Sequence, residues 1–229
     1  GEEFISGSPL PLTDGVIGPD GALYFLTGGR RLESDMYRVY YTGSESKNTL
    51  TAKVELNEAQ KTRKRLEAFH GKPTAGAVNQ AWPYLKNNDR FIRYAARIAI
   101  EAQPLSEWAD KTINEKDPVI LTNAAIGLAR RGDVKFKKQL LTSLTNVNIS
   151  LLTATQQLDL MRAIELVFTR MGAPDAAEKE AVAKLLNPIF PAATNDLNKE
   201  LSKLLVYVDA PKAVEKTMAL LAAAKDDMG

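Results

Sequence analysis

The spacing of apolar residues divides the chain into two regions. Up to about Ser46, apolar residues come in short aromatic or β-branched runs between Gly- and Pro-rich turns, a pattern typical of strands. The runs cover residues 16–17, 23–26 and 37–41. Gly18-Pro19-Asp20-Gly21 separates the first two, with a proline that presets φ and a glycine that accepts positive φ. We therefore predict a short β-meander over residues 1–46, too small to bury both of its faces alone.

After a polar linker, residues 47–55, the apolar positions take helical spacing from Leu56 to the C-terminus. Capping residues such as Asn57 and Asp89 and interruptions by Gly or Pro set the helix ends. The predicted helices lie at about residues 56–69, 74–85, 90–101, 118–131, 134–144, 153–171, 176–186, 196–208 and 211–224. Helices of this length, joined by short turns without strands, favour antiparallel helix hairpins stacked side by side. The predicted fold is mainly α, a HEAT/armadillo-like α-α superhelix over residues 56–229.

One helix carries the most specific pattern. Its positions 92, 95, 96, 99 and 100 form an apolar stripe of mostly small residues. The segment resembles the second helix of a HEAT repeat through Asp89, Ile92, Arg93, Ala96 and Ala99. The segment from Asp117-Pro118 to Ala129 is a looser second copy. The resemblance implies that Asp89 caps the helix and that Arg93 reaches a neighbouring turn, so that both are structural.

The N-terminal region carries a second resemblance. Residues 10–25, followed by Gly28-Gly29-Arg30 and residues 36–39, resemble the last blade of glucose/sorbosone-dehydrogenase-like β-propellers. With residues 68–71, 81–85 and 89–97, nearly the whole chain resembles multidomain proteins described as membrane-bound-dehydrogenase-like or haem-binding, found in planctomycetes, verrucomicrobia and bacteroidetes. Those proteins join a propeller to a HEAT array and often to a c-type cytochrome domain. The resemblance implies an extracytoplasmic parent protein whose propeller and cytochrome c domains are partners of this chain.

The composition narrows the possible chemistry. The 229 residues have a formal net charge of +2, with 45% hydrophobic and 25% charged residues, ordinary values for a soluble chain with its own core. No stretch is apolar enough for membrane insertion. The chain has no cysteine, which excludes disulfides, thiolate catalysis and the Cys-x-x-Cys-His haem motif. The resemblance therefore transfers no haem or dehydrogenase chemistry to any residue here.

Basic residues give no electrostatic case for nucleic acid, because Lys and Arg are matched by Asp and Glu along the chain. The densest cluster, residues 61–65, has Glu58 and Glu67 beside it, and we interpret it as a solvated helix face. His70 is the sole histidine, so no pair of imidazoles is available, and its position beside Gly71 favours a helix C-terminal cap. Asp226 and Asp227 lie near the C-terminus and are unsuited to paired acid/base chemistry.

Three groups of residues are candidate interaction sites. Arg30 and Arg31, with the preceding Gly pair, form either an anion cradle or a turn between strands. Asp20 presents either a calcium ligand or a plain turn carboxylate. The aromatic group either lines a ligand groove or fills the helical core, and comprises Trp82, Tyr84, Phe91, Tyr94 and Trp108.

No residue pattern names a catalytic, cofactor or metal site, and we expect no cofactor. We expect a non-catalytic scaffold that binds other domains or a protein or peptide ligand. One alternative is that the loop of residues 28–31 forms an active-site wall in a quinoprotein-like sugar or alcohol dehydrogenase or in a carbohydrate-active protein. The other is an independent adaptor that binds a peptide in a concave groove.

Overall fold

The structure is a computed structural model and describes residues 4–43 and 55–224. Its contacts separate two units, Gly1–Glu55 and Leu56–Gly229. The predicted linker lies outside the described residues except at Glu55, as do Asp226 and Asp227.

The first unit contains a three-stranded antiparallel sheet in the order β1 (Leu12–Ile17), β2 (Leu23–Gly29) and β3 (Leu32–Val39). Phe25 of β2 pairs with Gly15 and Tyr37 on either side and stacks on the Tyr37 ring at 5.0 Å. The predicted meander is confirmed. The strands extend beyond the apolar runs, since β3 continues to pair with β2 at Asp35, opposite Thr27, although Asp has little strand propensity of its own.

The second unit is helical, so the chain is mainly α with a small N-terminal sheet, as predicted. The described helices are α1 (Glu58–Glu67), α2 (Ala77–Ala81), α3 (Arg90–Glu101), α4 (Ala109–Ile113), α5 (Pro118–Arg131), α6 (Lys137–Thr145), α7 (Ala154–Met171), α8 (Ala176–Leu186), α9 (Asn195–Tyr207) and α10 (Ala213–Ala223). Short 3₁₀ turns occur at Trp82–Lys86, Leu105–Glu107, Val134–Phe136, Ile149–Leu151 and Asn187–Ile189. Helix α4 was not predicted, because one turn of helix is too short to show a period.

Side-chain caps begin most of the longer helices. Asn57 and Gln60 form a reciprocal capping box at α1, each side chain accepting from the other's backbone N–H at 2.9 Å. Thr153 and Asp175 begin α7 and α8 in the same way. These caps satisfy backbone donors that a helix leaves unpaired, and they explain why the sequence places the helix starts well.

The helices contact one another in a regular order. Helices α1, α3, α5, α7 and α9 each contact the next in that series, while α4, α6 and α8 contact in turn. Each even helix from α2 to α8 also packs on the odd helix that follows it. The predicted inward stripes of α3 and α5 are buried, and the small residues of α3, such as Ala96 and Ala99, are fully covered. Helix α5 packs between α3 and α7, which accounts for its burial over ten consecutive residues. Among the described helices, none combines the length and apolarity needed to cross a membrane.

Candidate functional site

A depression of about 540 Å³ opens on the surface of the helical unit, lined by α1, α3, α5 and α7. Its volume falls in the range of ligand-binding clefts. We call it the arginine groove. Its lining comprises Arg63, Glu67, His70, Arg90, Phe91, Arg93, Tyr94, Ala95, Arg97, Asn123, Ile126 and Asp159.

Helix α3 positions three of the four arginines of the groove. Arg90, Arg93, Tyr94 and Arg97 stand at i, i+3, i+4 and i+7, the spacing that places side chains on one helix face. Asp89 fixes the start of α3, since its Oδ1 accepts from Phe91 N at 2.8 Å. The arginine face is therefore held by a capped helix whose other side lies in the core.

The arginines differ in what already holds them. Arg63 Nε lies 2.6 Å from Glu67 Oε1. Arg93 Nη1 donates to the carbonyl oxygens of Asn87 at 2.7 Å and Asn88 at 3.1 Å. Within the described part of the chain, Arg90 has no hydrogen bond or ion pair, and its guanidinium lies 5.0 Å from the Phe91 ring centre. Arg90 is therefore the most available donor in the groove.

Arg97 extends from the groove into the interior. Its Nε lies 3.4 Å from Glu101 Oε1, and Arg130 Nε lies 3.5 Å from Glu101 Oε2. Burial lowers the pKa of the Arg97 guanidinium and raises the pKa of the Glu101 carboxyl, and in both groups it outweighs the attraction between the charges. Gly127 of α5 allows this approach, because a Cβ there would lie 3.2 Å from Glu101 Cγ.

The groove retains an excess of positive charge. Four guanidinium groups face two carboxylates, Glu67 and Asp159, which gives a formal balance of +2 among the Arg, Asp and Glu side chains of the lining. Burial raises the pKa of Asp159, although Arg93 and Arg97 act in the opposite direction. The rings of Phe91 and Tyr94 are 54% and 55% exposed. This arrangement can bind carboxylates beside apolar or planar groups.

A second depression of about 400 Å³ lies between α7 and α9. Its charges are already paired, since Glu165 contacts both Arg162 at 3.3 Å and Lys203 at 3.2 Å. Lys203 also contacts Glu200 at 2.5 Å. Phe168 and Tyr207 line it with ring centres 5.9 Å apart. Because its charges are already paired, it offers less to a charged ligand than the arginine groove does.

The aromatic residues considered from the sequence separate into two groups. Trp108 is 1% exposed and Trp82 is 6% exposed, so neither indole presents a surface to a ligand. Each indole N–H is satisfied internally, Trp82 by Glu115 at 2.7 Å and Trp108 by the Gln103 carbonyl at 3.3 Å. Burial thus supports their interpretation as core residues. Tyr84 is partly buried, and its hydroxyl accepts a hydrogen bond from Arg65.

Residues on which the HEAT resemblance rests lie in the core or cap helices. Ile92, Ala96 and Ala99 are in the core. Asp117 caps α5 by accepting from Val119 N at 3.0 Å, and it pairs with Lys86 at 2.9 Å.

The remaining candidates have internal partners or form turns. His70 Nε2 donates to the Ala95 carbonyl at 2.8 Å, so it links α1 to α3 rather than capping its own helix. Both Asp20 oxygens accept hydrogen bonds, Oδ1 from Ala22 N at 3.2 Å and Oδ2 from Tyr24 and Arg38 at 2.9 and 2.8 Å. The side chain thus holds its turn and the end of the sheet.

Arg30 and Arg31 form the two-residue turn between β2 and β3, and both are exposed. Arg31 has a φ of 68°, in the left-handed region. They belong to the N-terminal unit, whereas the arginine groove lies wholly in the helical unit.

Sequence analysis did not identify Arg90, Arg97 or Asp159 as members of a site. A signal was present in the spacing of three arginines and Tyr94 along one helix face. This signal lies on the polar face of the helix, whereas the helical period is read from the apolar positions. The participation of Asp159 gave no local signal, because it reaches the groove only through the packing of α7.

In the described ranges 4–43 and 55–224, no group of three or more His, Asp or Glu side chains is placed to hold a metal ion. A scan of protein-family models finds no match to this sequence, and searches of curated proteins and of solved structures likewise find none. The fold and the groove by themselves define a mainly helical protein with a basic, aromatic-lined cleft.

Proposed function

We propose that the chain is a non-catalytic scaffold and interaction module, which holds a partner chain or domain against the arginine groove. In this proposal the helical unit is a HEAT-like array of antiparallel hairpins within a larger extracytoplasmic multidomain protein. The groove is the observation that carries the proposal, since it combines exposed aromatic rings with arginines on packed helices. Arginine and aromatic residues are enriched at protein interfaces and dominate their binding energy.

The order of the helices supports the scaffold part of the proposal. Consecutive odd-numbered helices contact one another, so side chains from four of them reach one depression. Helical-repeat proteins bind partners on surfaces built in this way, from several neighbouring repeats at once. Because the groove residues belong to well-packed helices, a partner would meet a largely preformed surface, which lowers the entropic cost of binding.

Site-specific photo-cross-linking in the full-length protein tests this function. A photoreactive phenylalanine analogue at Tyr94 is expected to cross-link to a neighbouring domain or bound chain. The same analogue at Val134, which is exposed and outside the groove, serves as the control. Equal cross-linking from the two positions, or none from Tyr94, would contradict a docking role for the groove.

A titration distinguishes the scaffold from the dehydrogenase alternative. The chain is mixed with pyrroloquinoline quinone, calcium and simple sugars, and binding is followed by calorimetry. The scaffold proposal expects no saturable signal. A saturable signal that disappears in an Arg30→Gln, Arg31→Gln double variant would instead favour an active-site wall formed by the turn between β2 and β3.

A further inference from the structure

From the charges of the groove, we infer that its partner is an extended acidic segment of another protein, with Glu or Asp residues next to an apolar side chain. This inference rests on the proposed function and specifies the chemistry of the partner. Its first support is Arg90, an exposed guanidinium for which the described residues provide no acceptor. A guanidinium binds a carboxylate through two parallel hydrogen bonds, so Arg90 offers a ready bidentate site.

The second support is the arrangement around Arg90. Arg93 uses Nη1 for two backbone carbonyls and Arg63 uses Nε for Glu67, which leaves other donors on both groups. The half-exposed rings of Phe91 and Tyr94 lie among these arginines and supply apolar area without long flexible stems. The pocket therefore suits a ligand in which a carboxylate and an apolar group are neighbours.

The two acidic residues of the groove argue against nucleic acid. A phosphodiester backbone carries a negative charge at every nucleotide, so a strand crossing the groove would place phosphates against Glu67 and Asp159. Asp159 is partly buried, so water screens its carboxylate less than it screens a fully exposed one. A polypeptide can place a neutral or basic residue opposite these positions, and the groove's charges therefore favour a peptide over RNA or DNA.

The length of the segment follows from the helices that it crosses. Packed helices lie about 8–10 Å apart, so the three steps from α1 to α7 span about 24–30 Å. An extended chain covers about 3.3–3.6 Å per residue, so about seven to nine residues cross the groove.

The test measures binding of a fluorescein-labelled peptide of about nine residues, in which Glu alternates with Ser around one central Leu, by fluorescence anisotropy. We expect saturable binding that weakens with added salt. The same peptide with Gln in place of every Glu should bind roughly tenfold or more weakly, as expected when charge-assisted hydrogen bonds are lost. Equal binding of the two peptides would overturn the inference.

Variants locate the binding. Arg90→Glu reverses an exposed charge at the first position of α3, where a carboxylate suits the helix N-terminus, so the fold should be retained. It should weaken peptide binding roughly tenfold or more, and Tyr94→Ala should weaken it as well. Arg170→Glu makes the same charge change on an exposed residue outside the groove and should leave binding nearly unchanged. If Arg170→Glu weakens binding as much as Arg90→Glu does, attraction is non-specific and the inference fails.

Two further outcomes would also overturn the inference. One is tighter binding of a single-stranded oligothymidylate of matched length, which would identify nucleic acid as the better partner. The other is failure of both peptides to bind the folded chain without substitutions. In that case, cross-linking from Tyr94 in the full-length protein would still decide whether the groove docks a partner of different chemistry, so the two proposals can fail separately.

Discussion

Gln103 should be one of the most sensitive polar positions of the helical unit. It follows α3, is 2% exposed, and joins the end of that helix to the loop between α1 and α2. Its Oε1 accepts from Thr74 N at 2.7 Å, and its Nε2 lies 2.8 Å from the Ala99 carbonyl, 3.3 Å from that of Lys72 and 3.4 Å from that of Phe69. The amide thus supplies an acceptor and two donors in a place that water does not reach.

Two substitutions test this amide. Gln103→Met keeps the volume but removes the acceptor of the Thr74 N–H together with both donors, and the unpaired buried N–H alone costs about 1–3 kcal/mol. Gln103→Glu keeps that acceptor but removes both donors and turns a carboxylate towards three carbonyl oxygens. We expect a loss of about 3–5 kcal/mol at neutral pH, from two lost hydrogen bonds and a buried, poorly paired charge.

The Gln103→Glu variant should also acquire a characteristic pH dependence. Burial among carbonyl groups raises the pKa of the new carboxyl in the folded state above its unfolded value. Its stability is therefore highest below the unfolded pKa, at about pH 4, and falls as pH rises through the folded pKa. A protonated carboxyl can again donate one hydrogen bond to a carbonyl, which explains the recovery.

Urea denaturation followed by far-ultraviolet circular dichroism measures these effects, because the helical signal reports on the helical unit. Gln139→Glu is the matched control, since Gln139 is exposed on α6 and the change should alter stability by less than about 0.5 kcal/mol. The reasoning would be refuted if Gln103→Glu were as stable as the unsubstituted chain at neutral pH, or if its deficit did not shrink on acidification.

Three further predictions concern charged groups. The Arg38 hydrogen bond lowers the pKa of Asp20 to about 2. This carboxyl should therefore stabilise the sheet above about pH 4 and lose its contribution as pH falls towards 2. In an NMR titration, Arg38→Gln should return the pKa of Asp20 towards 3.8. Asp117→Ala should lower the free energy of unfolding in urea by about 1 kcal/mol, because the α5 cap is lost. Lys86→Met should have little effect, because the Lys86–Asp117 ion pair is half-exposed. Equal losses in the two variants would contradict the cap as the main contribution of Asp117. Burial raises the pKa of Glu101 above 4.5, so the unsubstituted chain should lose stability relative to Glu101→Gln as pH rises from 4.5 towards neutrality, and a relative gain over that range would refute this sign.

Local signals predicted much of the fold. The predicted caps Asn57 and Asp89 both accept from N–H groups that follow them, because a helix start requires an acceptor within two or three residues. The apolar stripe of α3 was equally readable, since one helix face must be covered. The starts of β1 and β3 were missed because their pairing partners, and not their own residues, extend them.

The candidate site was less predictable. From the sequence, Trp82 and Trp108 are candidates for a ligand groove and His70 for a helix cap. The fold buries both indoles, and the His70 ring contacts the backbone of a different helix. Aromatic residues occur both in protein cores and in ligand grooves, so residue type alone cannot assign them to either location. Gln103 gives no signal in the sequence, because three of its four partners lie in the loop between α1 and α2, which only folding brings close to it.

The sequence by itself determined the class of structure, with a short meander followed by helices of known phase and caps, because propensity, periodicity and capping act over a few residues. Tertiary structure alone decided which side chains share a surface. Arg63, Tyr94 and Asp159 are separated along the chain and meet in one groove because α1, α3, α5 and α7 pack in series. Burial also shifts the pKa values of Arg97 and Glu101, since the desolvation of a group depends on what the rest of the chain places around it.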